Sequence, residues 1–291
     1  MFEKVNAGHP DKMADRLAGA VVDLVYERAG GLTKANPRVA CEVMAGHGRV
    51  DVQIETSLGR LDLRADDLDP LIHRLFGERV EGNVLIAPQD AHLSDNQTRG
   101  LRCGDNGIFR GCPPTEEQRV LTAIAATIYG SIPYDGKYII EQRDGQWDLT
   151  VCQSHLSREQ EPELRQMLKE AYNVHLPTIN PLGPWTGGID VDCGCTNRKL
   201  GSDMGDGVTG GGLMGKDLSK ADVSVNIVCY LKAVASGQVV TAMCSIGDEN
   251  VTFVYHDGHR ETERFADIVE QARLYILTDC GGSFERFAEW G

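Results

Sequence analysis

The sequence GHPDKMADRLAGAVVDLVYERAGG (residues 8–31) joins a short polar motif to a long segment with helical periodicity. Apolar side chains recur every three or four residues from Met13 to Val25, and Gly30-Gly31 ends the pattern. This spacing predicts an amphipathic helix that begins directly after the GHPD residues.

Strand pairs and helices alternate along the rest of the chain. Three strand pairs are predicted: RVACEVM with RVDVQIETSL (38–58), GKYIIEQRDGQWDLTVCQ (136–153), and VVTAMCSI with NVTFVYHDG (239–258). Val50, Val52 and Ile54 alternate with polar residues in the first pair, and Asp144-Gly145 is a hairpin turn in the second. We therefore predict an α+β fold of three similar sheet-plus-helix units in a pseudo-threefold arrangement. The predicted units are 1–112, with a mobile loop after NVLIAP, 113–188, and 189–291.

The composition of the chain indicates which partners and which cellular compartment to expect. The 291 residues include 43 acidic and 29 basic side chains, a net charge of -14, which disfavours nucleic acid and anionic membranes as partners. The N-terminus lacks the apolar core of a signal peptide, and the odd number of nine cysteines is typical of a reducing compartment. Cys193 and Cys195 have no second pair at zinc-ligand spacing. We expect a cytoplasmic protein that does not contact membranes.

A glycine-rich segment, GGGLMGKDLSKAD (210–222), predicts phosphate binding. Its G-x-x-x-x-G-K pattern is not a P-loop, because Asp217 stands where Ser or Thr would hold Mg²⁺ and no buried strand precedes it. Backbone N–H groups of a glycine loop can nevertheless approach a phosphate closely. If KDLSKADVSV is helical, Lys216 and Lys220 lie on one helix face, with Asp222 near them as an oxygen ligand for Mg²⁺.

Two further groups of polar residues favour an anion site. CTNRK contributes Arg198 and Lys199, a guanidinium fork beside an ammonium group. GHPDK contributes His9, Asp11 and Lys12 at a helix start, where the helix dipole favours an anion. The alternative interpretation is structural: Asp11 is also an ordinary helix cap, and single surface cations are commonly only solvated.

Taken together and in order, these stretches resemble the S-adenosylmethionine synthetase (methionine adenosyltransferase) family. GHPDK resembles its N-terminal signature, ACE followed by IET its strand pair, and GDNG its GDQG turn. YDGK resembles its DAK segment, GGIDVDCGCTNRK its GGPxGDxGLTGRK segment, and GGGLMGKDLSKAD its GGGAFSGKDPSKVD signature. The resemblance extends from the N-terminus to about Tyr230.

The resemblance implies that S-adenosylmethionine is formed from ATP and L-methionine, with release of phosphate and pyrophosphate. Methionine sulfur attacks the 5′ carbon of ATP, and the triphosphate that departs carries about four negative charges, which cations must stabilise. It also implies two Mg²⁺ ions, a potassium ion, and active sites shared between the subunits of at least a dimer.

Site residues carried over from the family fall into three groups. The catalytic group that contacts the breaking bond and the triphosphate is His9, Lys137, Arg198, Lys199, Lys216 and Lys220. The metal group is Asp11 and Asp222 for Mg²⁺ and Glu42 for potassium. The substrate-binding group for methionine and the nucleoside is Glu55, Gln89, Asp105, Asp135, Trp185, Asp192 and Ile246. Asp105 and Asp135 are also compatible with ordinary turn chemistry.

The sequence departs from the family pattern at several positions. Asn106 replaces the glutamine of GDQG, CTN replaces LTG before Arg198, and Met214 replaces a serine of the potassium site. The loop between Gln89 and Arg102 suggests a shortened lid and a compact member. Two alternatives remain open at this point: an ATP-binding regulatory paralogue without turnover, and a triphosphatase on the same scaffold.

Overall fold

The computed structural model describes residues 1–59, 62–91, 100–199 and 212–290 of the chain. The strands in these ranges are β1 (Phe2–Val5), β2 (Val39–Gly46), β3 (Arg49–Thr56), β4 (Glu81–Pro88), β5 (Gly107–Gly111), β6 (Gly136–Arg143), β7 (Gln146–Gln153), β8 (Thr178–Ile179), β9 (Cys193–Cys195), β10 (Val240–Cys244), β11 (Asn250–Tyr255) and β12 (Arg260–Arg264). The helices are α1 (Pro10–Arg28), α2 (Asp69–Phe76), α3 (Glu116–Ser131), α4 (Glu161–Tyr172), α5 (Ala221–Ser236), α6 (Phe265–Thr278) and α7 (Phe284–Trp290), with a 3-10 helix at Ala65–Asp67.

Within the described ranges, the strands form three four-stranded sheets, in the orders β4-β3-β2-β9, β1-β6-β7-β8 and β12-β11-β10-β5. Helix α1 packs on β2 in the first sheet, α3 on β1 and β6 in the second, and α5 on β5 and β10 in the third. The predicted α+β fold of three similar sheet-plus-helix units is confirmed.

The inner faces of the sheets form the core. Along β2 and β3 buried apolar residues alternate with more exposed ones, as expected for sheets covered on one face. One apolar cluster joins the first and third sheets to helices α1, α5, α6 and α7, and a second fills the space between the second sheet and helices α3 and α4. None of the helices in the described ranges has the length and hydrophobicity that a membrane span requires.

Each sheet contains a strand from a distant part of the sequence. Strand β1 pairs with β6 in the second sheet, β5 pairs with β10 in the third, and β9 pairs with β2 in the first. The division into domains stays a prediction, with units at 1–112, 113–188 and 189–291. The sheets pair strands across the boundary at 112 and across the boundary at 188. The exchange brings the N-terminus of α1 between the first and second sheets.

Local sequence signals predicted several elements correctly. The capping box at Thr115 and Gln118 starts α3, and the hairpin of β6 and β7 turns at Asp144 and Gly145, both with positive φ. The sequence does not predict strands β1, β5 and β9 or helix α7, because each is short and takes its partners from distant segments. Strand β12 pairs with its neighbour β11, but its residues, RETER, are all polar and show no apolar alternation. Most of the predicted mobile loop, at residues 92–99, lies outside the described residues, as do Gly210 and Gly211 of the glycine run.

The prediction that Lys216 and Lys220 share a helix face is wrong. Helix α5 begins at Ala221 with Lys220 as its N-cap, and Lys216 forms an isolated β-bridge with Ala40. The cause is the buried side chain of Asp217, which accepts hydrogen bonds from the backbone N–H groups of Val39 and Ser219 and thereby holds this segment against β2. These tertiary bonds override the helical propensity of the segment.

Glycine 194 allows β9 to lie directly on the start of α1. A Cβ atom at Gly194 would lie 2.1 Å from the carbonyl carbon and oxygen of Pro10. We expect Gly194→Ala to lower the free energy of unfolding by roughly 1–3 kcal/mol, because the strand must move away from the helix. Urea unfolding measures this effect.

Gly130 near the end of α3 is the matched control. A Cβ atom there meets nothing within 4 Å, so Gly130→Ala should stabilise the protein by about 0.5–1 kcal/mol. Equal unfolding midpoints for the two variants would contradict the close approach of β9 to α1.

Candidate functional site

The site begins at the N-terminus of α1, where His9 is the N-cap and Pro10 occupies the first turn. The Nδ1 atom of His9 accepts a hydrogen bond of 3.2 Å from the backbone N–H of Asp11. Neutral imidazole has one acceptor and one donor nitrogen, so this bond places the ring hydrogen on Nε2. His9 can therefore donate to a group outside the helix.

Asp11 connects this helix start to the segment after β9. Its buried carboxylate accepts a 2.9 Å hydrogen bond from the backbone N–H of Cys195. The Nζ atom of Lys199 lies 2.8 Å from Oδ2, and a guanidinium nitrogen of Arg198 lies 3.5 Å from Oδ1. The structure thus brings Asp11, Arg198 and Lys199 together with His9, although they are distant in sequence.

The residues before Arg198 are attached to β2. Thr196 donates its backbone N–H to the carbonyl of Val43, at 3.0 Å, and accepts a 3.2 Å bond from the backbone N–H of Val43 with its hydroxyl. The same hydroxyl donates to the carboxylate of Glu42, the predicted potassium ligand. The hydrogen bond from Thr196 therefore places Glu42 next to the end of β9, the strand that precedes Arg198 and Lys199.

Lys216 lies farther along the same edge of β2. The carbonyl of Gly215 accepts a 2.7 Å hydrogen bond from the N–H of Cys41, and Lys216 bridges Ala40. The Nζ atom of Lys216 lies 2.8 Å from a carboxylate oxygen of Asp222 in the first turn of α5, and both side chains are mostly buried. The edge of β2 that faces away from β3 therefore positions Arg198 and Lys199 near one end and Lys216 near the other.

The second sheet contributes residues on the other side of His9. Asp135 is buried and accepts a 3.0 Å hydrogen bond from the backbone N–H of Gly188. Trp185 is half-exposed and donates its indole N–H to Asn180, at 3.2 Å. Lys137 follows at the start of β6, where its Nζ lies 3.4 Å from a carboxylate oxygen of Glu3.

Buried Asn6 ties the segment before α1 to the second sheet. Its side-chain oxygen accepts hydrogen bonds from the backbone N–H groups of Gly8, at 3.0 Å, and Gly136, at 3.1 Å. Its amide nitrogen donates to the carbonyl of Tyr134, at 2.8 Å. The approach to α1 and the start of β6 are therefore fixed to each other.

Burial lowers the pKa of His9 to about 4 and is the largest cause of this shift. The carboxylates of Asp11 and Asp192 oppose the shift, and the ammonium groups of Lys199 and Lys137 add to it. His9 is therefore neutral near pH 7, and its electrostatic neighbours are all predicted site residues. Burial also raises the pKa of Asp135, to which the nearby carboxylates of Asp192 and Asp11 add.

The four remaining predicted substrate residues lie on other elements. Glu55 is exposed on β3 opposite Ala40, and Gln89 follows β4. Asp105 and Ile246 lie at the end of the third sheet, where the side chain of Asn106 accepts a 2.9 Å hydrogen bond from the N–H of Ile246. In the described part of the chain, no contact joins Asp105 or Ile246 to the residues around Asp11.

The carboxylates fit one mode of magnesium binding. No group of three or more His, Cys, Asp or Glu side chains at metal-binding distance occurs among the described residues. Mg²⁺, however, is commonly held by one or two carboxylates together with substrate phosphates. Asp11 and Asp222 fit this mode, because each is a single carboxylate paired with a lysine that could itself contact a phosphate.

Sequence reasoning missed two residues that shape the site. Asp15, one turn after Asp11 on α1, is fully buried and accepts a 2.7 Å hydrogen bond from the backbone N–H of Asn197. Its four-residue spacing from Asp11 was an available signal. In the sequence Asn197 is one of the departures from the family pattern, and its signal is that asparagine tolerates a left-handed backbone better than most residues.

The comparisons with known proteins point to one group of enzymes. No protein-family model matches the chain. The S-adenosylmethionine synthase of Cereibacter sphaeroides is 26% identical over an alignment of 339 positions, gaps included, which covers 96% of this chain and 84% of the relative. That of Ruegeria pomeroyi is 28% identical and covers 93% of this chain and 83% of the relative. The chain is a distant relative of the S-adenosylmethionine synthases.

The S-adenosylmethionine synthase relatives carry internal insertions with respect to this chain, since an alignment of 339 residues exceeds its 291 residues. Among solved structures, an unusual S-adenosylmethionine synthetase from Campylobacter jejuni shares the fold, with a TM-score of 0.66 and 18% sequence identity. The match covers 98% of this chain and 87% of that one. The family resemblance seen in the sequence motifs is confirmed.

The pKa of His9 predicts a specific pH dependence of stability. Below pH 6.5 the unfolded chain protonates His9, whereas the folded chain does so only near pH 4. The free energy of unfolding should therefore lose roughly 3 kcal/mol from His9 as pH falls from 6.5 to 4, and nothing from it above that window. Urea titrations of the wild type and His9→Gln between pH 4 and 8 measure the difference.

His256→Gln is the control, because this side chain lies exposed in the turn between β11 and β12. It should leave the pH profile of stability as in the wild type. An unchanged profile in His9→Gln would mean that the imidazole is protonated as easily in the folded chain as in the unfolded one.

Proposed function

We propose that the chain is a methionine adenosyltransferase that forms S-adenosylmethionine from ATP and L-methionine and releases phosphate and pyrophosphate. One observation carries the proposal: Lys199 and Arg198 meet at the buried Asp11 beside His9, and Lys216 lies along the same edge of β2. The similarity to S-adenosylmethionine synthases over most of the chain supports it.

The arrangement of cations suits a departing triphosphate. Lys199 and Lys216 are each oriented by a carboxylate before any substrate binds, so little reorganisation is needed when negative charge develops. Arg198 is half-exposed and can form two parallel hydrogen bonds with phosphate oxygens. Lys137 at the start of β6 and Lys220 at the N-cap of α5 are proposed as further ligands of the triphosphate.

His9 acts in this proposal as a neutral hydrogen-bond donor. Its Nε2–H points away from the bond that Nδ1 makes with Asp11, and its pKa of about 4 keeps it uncharged at neutral pH. A neutral donor stabilises charge on the oxygen that develops when the C5′–O bond breaks, without giving up its proton. Methionine sulfur is the nucleophile, and the triphosphate leaves intact before its hydrolysis.

Metal ions complete the proposed phosphate site. Two Mg²⁺ ions, held by Asp11 and by Asp222 together with phosphate oxygens, would neutralise charge on the triphosphate. Glu42, whose carboxylate contacts the hydroxyl of Thr196, is the proposed potassium ligand. Asp135 and Trp185 are proposed to bind the nucleoside, and Asp192 the ammonium group of methionine.

A homodimer is part of the proposal, because some proposed substrate residues lie on elements that do not carry the residues around Asp11. Glu55, Gln89, Asp105 and Ile246 could complete the site of a second subunit. The outer sheet faces also expose large apolar side chains that a partner could cover, namely Met44, Leu85, Ile108, Ile139 and Met243. The nine free thiols are consistent with the proposed cytoplasmic location.

A product assay tests the reaction directly. Purified chain with ATP, Mg²⁺, potassium and L-methionine should form the sulfonium product together with equal amounts of phosphate and pyrophosphate. Binding of ATP without any product would favour the regulatory paralogue. Phosphate release that does not depend on methionine would favour a triphosphatase.

Lys216→Ala should lower kcat/KM by about two orders of magnitude, or ~3 kcal/mol, because the triphosphate loses a preoriented cation. Thermal unfolding should change much less, since Lys216 is not part of the apolar core. Lys169→Ala on the exposed face of α4 is the control and should retain wild-type kcat/KM. A loss of stability as large as the loss of activity would assign Lys216 a structural role.

The dimer is tested by light scattering combined with the activity assay. Met243→Glu places a charge on the exposed face of the third sheet and should yield a folded monomer with little activity. Full activity of a stable monomer would refute the shared site.

A further inference from the structure

Asn197 adopts a backbone conformation that usually requires glycine. Its φ is 62°, in the left-handed region, and the family signature that CTNRK resembles has glycine at this position, in LTGRK. Asparagine is among the few other residues that tolerate this region. The chain therefore keeps the left-handed turn before Arg198 and gains a side chain there.

That side chain binds the backbone of a second segment with two hydrogen bonds, as the backbone of a neighbouring β-strand would. Its Oδ1 accepts a 2.9 Å hydrogen bond from the backbone N–H of Met214, and its Nδ2 donates to the carbonyl of Met214 at 3.3 Å. The two residues are 17 positions apart in the sequence. A Cβ atom at Gly212 would lie 2.3 Å from Cγ of Asn197, so the amide fills the space that glycine leaves.

The two residues joined by these hydrogen bonds, Asn197 and Met214, each lie just before proposed phosphate ligands. The backbone N–H of Asn197 is held by the buried carboxylate of Asp15, and Arg198 and Lys199 follow directly. On the other side, Met214 precedes Gly215 and Lys216, which lie against β2. The amide of Asn197 is thus a direct cross-link between the two cationic segments.

We propose that Asn197 is a positioning residue that sets the spacing between the Arg198–Lys199 pair and Lys216, so that both bind one triphosphate. The inference deepens the proposed function and rests on it. Without the amide, the segment before Arg198 would still be bound by Asp15 and Val43, and the segment before Lys216 would still be bound by Cys41. The hydrogen bonds that join the two segments directly would be lost. Binding of the ligand would then have to order the two segments, and this loss of conformational entropy would weaken the affinity.

Binding of inorganic tripolyphosphate with Mg²⁺, measured by calorimetry, tests the functional part. Asn197→Gly keeps the left-handed backbone and removes both hydrogen bonds of the amide, so we expect the Kd to rise about tenfold. The Kd for methionine should stay unchanged, which a general loss of structure would not allow. Asn173→Gly is the matched control, because Asn173 is also left-handed, at the exposed end of α4.

Gly212→Ala tests the same contact from the other side. Its methyl group must displace the Asn197 amide, so this variant should also weaken tripolyphosphate binding. In the Asn197→Gly background the obstructing amide is absent, and Gly212→Ala should add little further loss. Additive losses in the double variant, or wild-type binding by Asn197→Gly, would overturn the proposal.

Hydrogen exchange separates this inference from the proposed function. Amides of residues 213–217 should exchange faster in Asn197→Gly than in the wild type, and no faster in Asn173→Gly. If wild-type chain does not bind tripolyphosphate, the proposed function fails, and exchange alone then decides whether the cross-link exists. Unchanged exchange at 213–217 would refute it.

Discussion

The buried carboxylate of Asp11 is the interaction on which the rest of the site depends. A charge removed from water must be compensated, and here the backbone of Cys195, the ammonium group of Lys199 and the guanidinium group of Arg198 compensate it. The same contacts bring β9 onto the first turn of α1. Folding of this region and assembly of the cations are therefore one event, because Asp11 cannot be buried without its partners.

The exchange of strands between units explains how residues from distant segments reach His9. Strand β1 belongs to the second sheet, although α1 packs on the first, so the turn between them lies where the two sheets meet. Asn6 fixes this turn against the start of β6. As a result Lys137 acts on His9 from one side and Lys199 from the other.

The sequence predicted those elements whose causes are local. Apolar periodicity located α1, and turn residues located the hairpin of β6 and β7. It failed where tertiary bonds overrode local propensity, as at Lys216, where Asp217 binds β2 and prevents an early helix start. Short strands such as β9 carry too few residues for a periodic signal, and their partners are far away in the chain.

For the site, too, local motifs were predictable from the sequence and tertiary contacts were not. Motif resemblance named Asp11, Arg198, Lys199 and Lys216, and the structure places them along one strand edge, although their catalytic roles stay predictions. Asn197 could not be assigned from sequence, because its importance lies in a contact with the backbone of Met214 that no local pattern encodes. The spacing of Asp15 from Asp11 indicates a shared helix face, but it does not reveal the partner of Asp15, which is likewise a backbone group.

The most direct measurement is a crystal structure of the chain with Mg²⁺ and an ATP analogue that cannot be cleaved. We predict a triphosphate beside β9 and the Gly215–Lys216 segment, which both lie along the edge of β2 that faces away from β3, with oxygens in hydrogen-bond contact with Lys199 at one end and Lys216 at the other. A triphosphate bound away from this edge, or one that contacts only one of these lysines, would contradict it.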